Sequence, residues 1–263
     1  MLTERRRIVL RAVVDHHVAS AAPVGSTVLA QRYVANVSPA TIRSELGALE
    51  NIALLYQPHT SAGRVPTQAG YRRVVDEILS RPALSVSTGL RSSAEAAYPH
   101  QELHLALRKS STGGGSLLLA ELFRSTVMHL ATATKSLALL NVTLTQGTGS
   151  RFGTEQLYYN GLANLLTQPE FTKPGGQESF TRLVGMLENE RTLHEILEAC
   201  SHDSRVTVAI GAENCVTGLD ELSLITSRYK GGIIAVIGPT RMNYREAIAA
   251  VSTAAHTLDD ILE

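Results

Sequence analysis

The sequence predicts an α+β protein of more than one domain, with a helical N-terminal domain and a mixed C-terminal one. Three observations carry this. Residues 1–80 hold short helical stretches joined by tight breaks. A Ser-, Pro- and Gly-rich run follows over 81–116. From about residue 117, helical stretches alternate with β-rich runs bounded by Gly and Asn. The expected boundaries are therefore 1–80, a linker over 81–116 with a short helix around 101–108, and 117–263.

In order, Thr3 is a candidate N-cap, and Ile8, Val9, Ala12 and Val13 give the first helix an apolar stripe. Ala21-Ala22-Pro23-Val24-Gly25 breaks it, and Ser26 is placed to cap a second helix with Leu29 and Tyr33 on one face. Asn36-Val37 makes a tight joint. Ser38-Pro39 then reads as N-cap and first-turn proline, because proline there sacrifices no helical hydrogen bond. Ile42, Leu46 and Leu49, spaced i, i+4, i+7, predict a third helix with one buried face. Residues 54–57 form a strand candidate. Residues 58–66 suit the tip and return of a β-wing, with Gly63 expected at positive φ. Thr67 caps a closing helix that carries Tyr71, Val74, Val75 and Ile78.

In the second half, helices are expected over 117–133, 158–166 and 180–197, the last with Phe180, Leu183, Val184 and Leu187 on one face. Strands are expected over 137–144, 206–210, 222–226 and 233–237, and a Gly-rich loop over 146–152. A final helix starts near residue 243, with Ile248, Val251, Ala255, Leu258 and Leu262 at helical spacing. The strands imply a mostly antiparallel sheet.

Composition removes several function classes. No apolar run approaches the roughly 18–20 residues of a membrane span, and the charged start lacks the apolar block of a secretory signal. Two cysteines, Cys200 and Cys215, do not make a disulfide framework, so a cytoplasmic compartment is expected. The nine histidines show no metal-ligand pairing, no Ser/His/Asp set stands out, and the glycines around 231–241 flank a strand rather than open a phosphate-binding helix. No metal, cofactor or catalytic residue is expected. The formal net charge is zero, but it is unevenly spread. Ten Arg against six acids leave +4 on residues 1–81, and fourteen cations against eighteen acids leave −4 on the rest. A basic N-terminal domain points toward a polyanion.

The third helix carries the sharper argument. With Ile42, Leu46 and Leu49 turned inward, Ala40, Thr41, Arg43, Ser44 and Gly47 face outward: small or hydrogen-bonding residues with one long cation. That is a face suited to a DNA major groove. Arg43 can donate to guanine O6 and N7, and Thr41 and Ser44 can bond a base edge or a phosphate. Ser38 and the free N–H groups of the helix start suit a backbone phosphate. Glu45 would repel phosphates and is placed on the flank. On the wing, His59, Thr60, Ser61 and Arg64 are placed to hold phosphates. Helix, turn, helix and wing in succession predict a winged helix-turn-helix that binds double-stranded DNA.

The run Asn36-Val37-Ser38-Pro39-Ala40-Thr41-Ile42-Arg43, with residues 57–67, Gly70-Tyr71-Arg72 and Pro23-Val24-Gly25-Ser26, closely resembles the heat-inducible transcription repressor HrcA family. Residues 159–166, Pro169-Glu170-Phe171, residues 210–214 and residues 238–244 match the same family in the same order. The resemblance implies a GAF-like α+β domain after the winged helix, usually with an inserted dimerisation segment. It also implies a homodimer on an inverted-repeat operator of the CIRCE type upstream of chaperone operons, repression relieved by heat, and the chaperonin GroEL as a partner. Three positions depart from the pattern. Thr27 stands where the family often has Arg, and Ile52-Ala53 replaces the usual Leu-Gly after the third helix. The stretch between Leu144 and Tyr158 is short, so the central insert is expected to be shortened. The alternative function is a one-component repressor whose GAF-like domain senses a small molecule.

Overall fold

The structure is a computed structural model that describes residues 2–33, 37–80, 115–144, 154–172, 174–201, 206–214 and 219–262. The expected joint at Asn36, the linker up to residue 114 with its short helix, the loop over 146–152 and Cys215 lie outside the described residues. The chain divides into two compact units, one built from the described residues up to Ser80 with 240–243, the other from the rest.

In the first unit, α1 (Glu4–Ser20), α2 (Ser26–Arg32) and α3 (Pro39–Asn51) precede a two-stranded antiparallel hairpin, β1 (Leu55–Tyr56) and β2 (Val65–Pro66), and then α4 (Gln68–Leu79). The caps follow local chemistry. The Thr3, Ser38 and Thr67 side chains accept from the Arg6, Thr41 and Gly70 amides, which satisfies donors that a helix start leaves free. One cap falls elsewhere than expected: α2 is capped by Gly25, while Ser26 is its first residue and is buried. The core joins Val9, Leu10 and Val13 of α1 to Leu29, to Ile42, Leu46 and Leu49 of α3, and to Tyr71, Val75 and Ile78 of α4. Ile8, expected in the α1 stripe, is 44% exposed, and Leu10 and Val14 take the buried face instead.

Gly63 departs from expectation and has a different reason for being glycine. Its φ is not among the positive ones. Val24 and Arg64 exchange two backbone hydrogen bonds of 2.9 Å, so the α1–α2 joint runs against the returning strand. A Cβ on Gly63 would lie 2.4 Å from the Val24 carbonyl carbon and oxygen.

The second unit is an antiparallel five-stranded sheet in the order β4-β3-β7-β6-β5. The strands are β3 (Leu137–Leu144), β4 (Thr154–Asn160), β5 (Thr207–Ile210), β6 (Leu222–Tyr229) and β7 (Gly232–Pro239). α5 (Gly115–Thr134) and the C-terminal α9 (Tyr244–Ile261) pack together and onto these strands. A separate apolar cluster joins Leu137, Leu139, Ile233, Ala235 and Ile237 of the sheet to α6 (Leu162–Leu166), α7 (Pro174–Leu187) and α8 (Glu190–Ala199). Apolar burial on both faces explains why these strands read as continuous hydrophobic runs rather than alternating ones. Ile248, Val251, Ala255 and Leu258 are buried as their spacing predicts.

Two expected helices are corrected. The stretch over 158–166 is the end of β4, then Gly161 at φ 94°, then α6. A Cβ at Gly161 would lie 2.3 Å from the Ser136 carbonyl oxygen, so the glycine turns the chain out of the sheet. The stretch over 180–197 is two helices, because Asn189 leaves helical geometry and its side chain accepts from the Thr192 amide at 3.2 Å to start α8. Among polar groups, Tyr229 donates to the Asn141 carbonyl at 3.1 Å. Burial first, then the nearby Asp259 and Tyr158, pushes its hydroxyl well above the ordinary tyrosine value, so it stays a donor. Cys200 is buried.

Candidate nucleic-acid interface

The face of α3 opposite its buried stripe is built as the spacing predicts. Ile42 and Leu49 are wholly buried and Leu46 nearly so, while Ser38, Ala40, Arg43 and Ser44 are exposed and Thr41 and Gly47 half-buried. Ser38 begins the helix twice over: its Oγ accepts from the Thr41 amide at 3.1 Å and lies 2.9 Å from the Thr41 hydroxyl. The pair thus presents two hydroxyls beside the first-turn N–H groups, where an anion is favoured.

The charges of α3 are arranged so that its cation stands alone. Glu45 lies on the flank, where the Arg6 Nε reaches it at 3.0 Å and Arg5 approaches to 3.9 Å. Glu50 accepts from the Arg64 Nε at 2.9 Å, with a second guanidinium nitrogen at 2.8 Å. Both acids of the helix are therefore neutralised by arginines from neighbouring elements. Arg43 is exposed and makes no ion pair among the described residues. Half-exposed pairs of this kind add little stability, about 0–1 kcal/mol each; their effect here is on the potential of the face.

At the hairpin tip, His59, Thr60 and Ser61 are exposed. The turn is held from within. The Ala62 amide donates to the His59 carbonyl at 2.8 Å, and the Gln57 side-chain amide donates to the Thr60 and Ala62 carbonyls at 2.9 and 2.8 Å. Ser61 Oγ lies 3.3 Å from His59 Nδ1. Arg64 stands apart from the tip trio, half-buried and bonded to Glu50.

Three of these features were not expected from the sequence. Gln57, read as part of a strand, organises the tip. Glu50 tethers the hairpin to α3. Arg5 and Arg6 screen Glu45. The signal for Gln57 was local, a long amide a few residues before a turn of free carbonyls. The two ion pairs join residues 39 and 14 positions apart, and nothing in the local sequence marks such partners. No group of three or more potential metal ligands occurs among the described residues, and no helix among them is long and apolar enough to cross a membrane.

A family model described as the HrcA protein C-terminal domain matches residues 116–248. A protein of Trichormus variabilis named heat-inducible transcription repressor HrcA is 30% identical over 362 aligned positions, covering 98% of each chain. One of the same name from Roseiflexus is 29% identical over 343 positions, covering 99% of this chain and 94% of the relative. These alignments are longer than the 263 residues here, so each relative carries residues with no counterpart in this chain. A solved structure described as a hypothetical protein has the same fold, with a TM-score of 0.73 at 17% identity, covering 99% of this chain and 98% of that one.

Proposed function

The chain belongs to the HrcA family of heat-inducible transcription repressors, and on that premise we propose that it represses by docking a winged helix-turn-helix onto operator DNA. Residues 1–80 are the DNA-binding domain, with α3 as recognition helix and the β1–β2 hairpin as wing. Residues 117–263 are a GAF-like dimerisation and regulatory domain with a shortened central insert, joined to the first by 81–116. The observation that carries this reading is the α3 face, on which Arg43 is left as free cation beside the Ser38–Thr41 hydroxyls. Arg43, Thr41 and Ser44 read bases, and Ser38, His59, Thr60 and Ser61 hold phosphates. Arg64 serves the backbone by steadying the wing against Glu50 and cancelling that acid.

The operator is an inverted repeat of the CIRCE type ahead of chaperone operons, bound by a homodimer in the cytoplasm, with the chaperonin GroEL favouring the active form. These particulars rest on the family likeness, and the two-fold repeat also fits the geometry of a dimer with two recognition helices. The metabolite-sensing alternative gains nothing from the cavity under α7 and α8. It is lined by Leu183, Met186, Leu193 and Ile196 and holds about 10 Å³, room for one water.

A gel-shift titration tests the reading. At fixed salt the protein binds the inverted-repeat duplex far more tightly than a scrambled duplex; equal affinities reject the repressor reading. Arg43→Ala costs about 1–3 kcal/mol and relaxes base preference. Arg64→Ala weakens all duplexes alike, since it frees the Glu50 carboxylate and loosens the hairpin, with the base preference kept. Loss of base preference in both variants would show the helix and wing roles to be misassigned.

A further inference from the structure

β4 is an outer strand of the sheet. β3 pairs with it residue for residue from Ala138↔Asn160 to Leu144↔Thr154, and no strand among the described residues pairs with its other edge. The opposite edge strand, β5, is four residues long and runs at once into a 3-10 turn, whereas β4 has seven residues, with no proline, lysine or bulge. A long, regular, unguarded edge is a template for a further strand. Beside it lies an open groove of about 600 Å³, walled by Glu121, Arg124 and Met128 of α5 and by Leu157, Tyr158 and Tyr159 of β4. Met128 and Tyr159 are 48% and 49% exposed. The groove has a fixed back wall, because the Tyr158 ring sits 5.5 Å from that of Phe123 on α5.

We propose that a second copy of this chain fills the groove, the two β4 strands pairing antiparallel across a two-fold axis. The inference rests on the dimer of the proposed function and names its surface. Antiparallel pairing of a strand with itself is the arrangement a two-fold axis perpendicular to the sheet generates. The same axis sets the two α5 helices side by side and antiparallel on one face of a ten-stranded sheet. Their facing stripe carries an acid and a base one turn apart. Glu121 and Arg124 are both exposed, and neither is ion-paired among the described residues. Antiparallel helices set Glu121 of one copy opposite Arg124 of the other, and symmetry repeats the pair. A groove that carries both charges at this spacing complements itself, which a surface for a ligand of single charge would not do.

Sedimentation equilibrium of the full chain tests the surface, with circular dichroism to confirm folding. The wild type is a dimer. Glu121→Arg sets two like-charged contacts in each dimer and weakens association about tenfold. The swap Glu121→Arg with Arg124→Glu restores association to near the wild-type value. Tyr159→Glu, which puts a charge in the apolar groove, yields monomer. A monomeric wild type overturns both the dimer and its surface. A dimer indifferent to every variant, or a loss in Glu121→Arg that the swap does not repair, overturns this surface and leaves the dimer standing. A Tyr159→Glu chain that is destabilised yet still dimeric does the same, because the groove is then covered by the chain's own residues.

Discussion

Ala53 sits at φ 57°, in the left-handed region that side chains disfavour, at the turn that ends α3. Its amide donates to the Glu50 carbonyl and the next amide, on Leu54, to that of Leu49, so the strained residue closes the helix and aims the chain into β1. The Thr67 hydroxyl donates to the Ala53 carbonyl at 2.7 Å and ties the turn to the start of α4. An L-residue here costs about 1–2 kcal/mol, and glycine returns part of that as extra freedom of the unfolded chain. Ala53→Gly therefore stabilises the N-terminal unit by about 0.5–1 kcal/mol, read as a melting transition raised by a few degrees in calorimetry. A lower melting temperature would show that the turn is not strained. This position was legible in the sequence, because Ile52-Ala53 stands where the family places Leu-Gly. The partners of Glu45 and Glu50 were not. Caps are written within three residues, as at Ser38 and Thr67, but an ion pair depends on which distant elements the core brings together.

Elements were legible where their pattern was unambiguous. The inward stripe of α3 and the apolar face of α4 followed from spacing, and both are buried as expected. The failures came where one residue decides between two elements. Gly161 turns the end of a strand into the start of a short helix, and Asn189 divides one apolar stripe between two helices. The hairpin is a third case, since Gly63 is required by contact across the chain rather than by its own φ. The Val24 backbone occupies the space a Cβ would need, and two hydrogen bonds hold it there. Gly63→Ala must then push the hairpin away from the α1–α2 joint. Overpacking of this kind costs about 1–3 kcal/mol, and here it also shifts the hairpin relative to α3. Chemical denaturation gives the cost, and duplex affinity falls further than stability alone requires. If Gly63→Ala were tolerated in both assays, the bridge between Val24 and Arg64 would not position the hairpin, nor the hairpin serve as the proposed wing.

The charge asymmetry that suggested a polyanion changes meaning at the scale of the whole molecule. Of the ten arginines in residues 1–81, Arg5 and Arg6 serve Glu45, Arg7 serves Glu4, Arg11 serves Glu77, Arg64 serves Glu50 and Arg72 serves Asp76. Most of the positive charge is thus spent on holding the unit together and masking its own acids. On the proposed reading, affinity for DNA then rests on the few groups left over, Arg43 and the donors at the start of α3 and at the hairpin tip, used twice in a dimer. If α3 is the recognition helix, few contacts per domain would make one copy a weak binder, and the proposed dimer on two half-sites a strong one. Each domain displaces its own condensed cations, so the slope of log affinity against log salt is set by the number of phosphates neutralised. For a duplex with the full inverted repeat, that slope is about twice the slope for a duplex with one half-site. Fluorescence anisotropy over a salt series measures both. Equal slopes would mean that one domain binds at a time, and that the second copy contributes nothing to the grip on DNA.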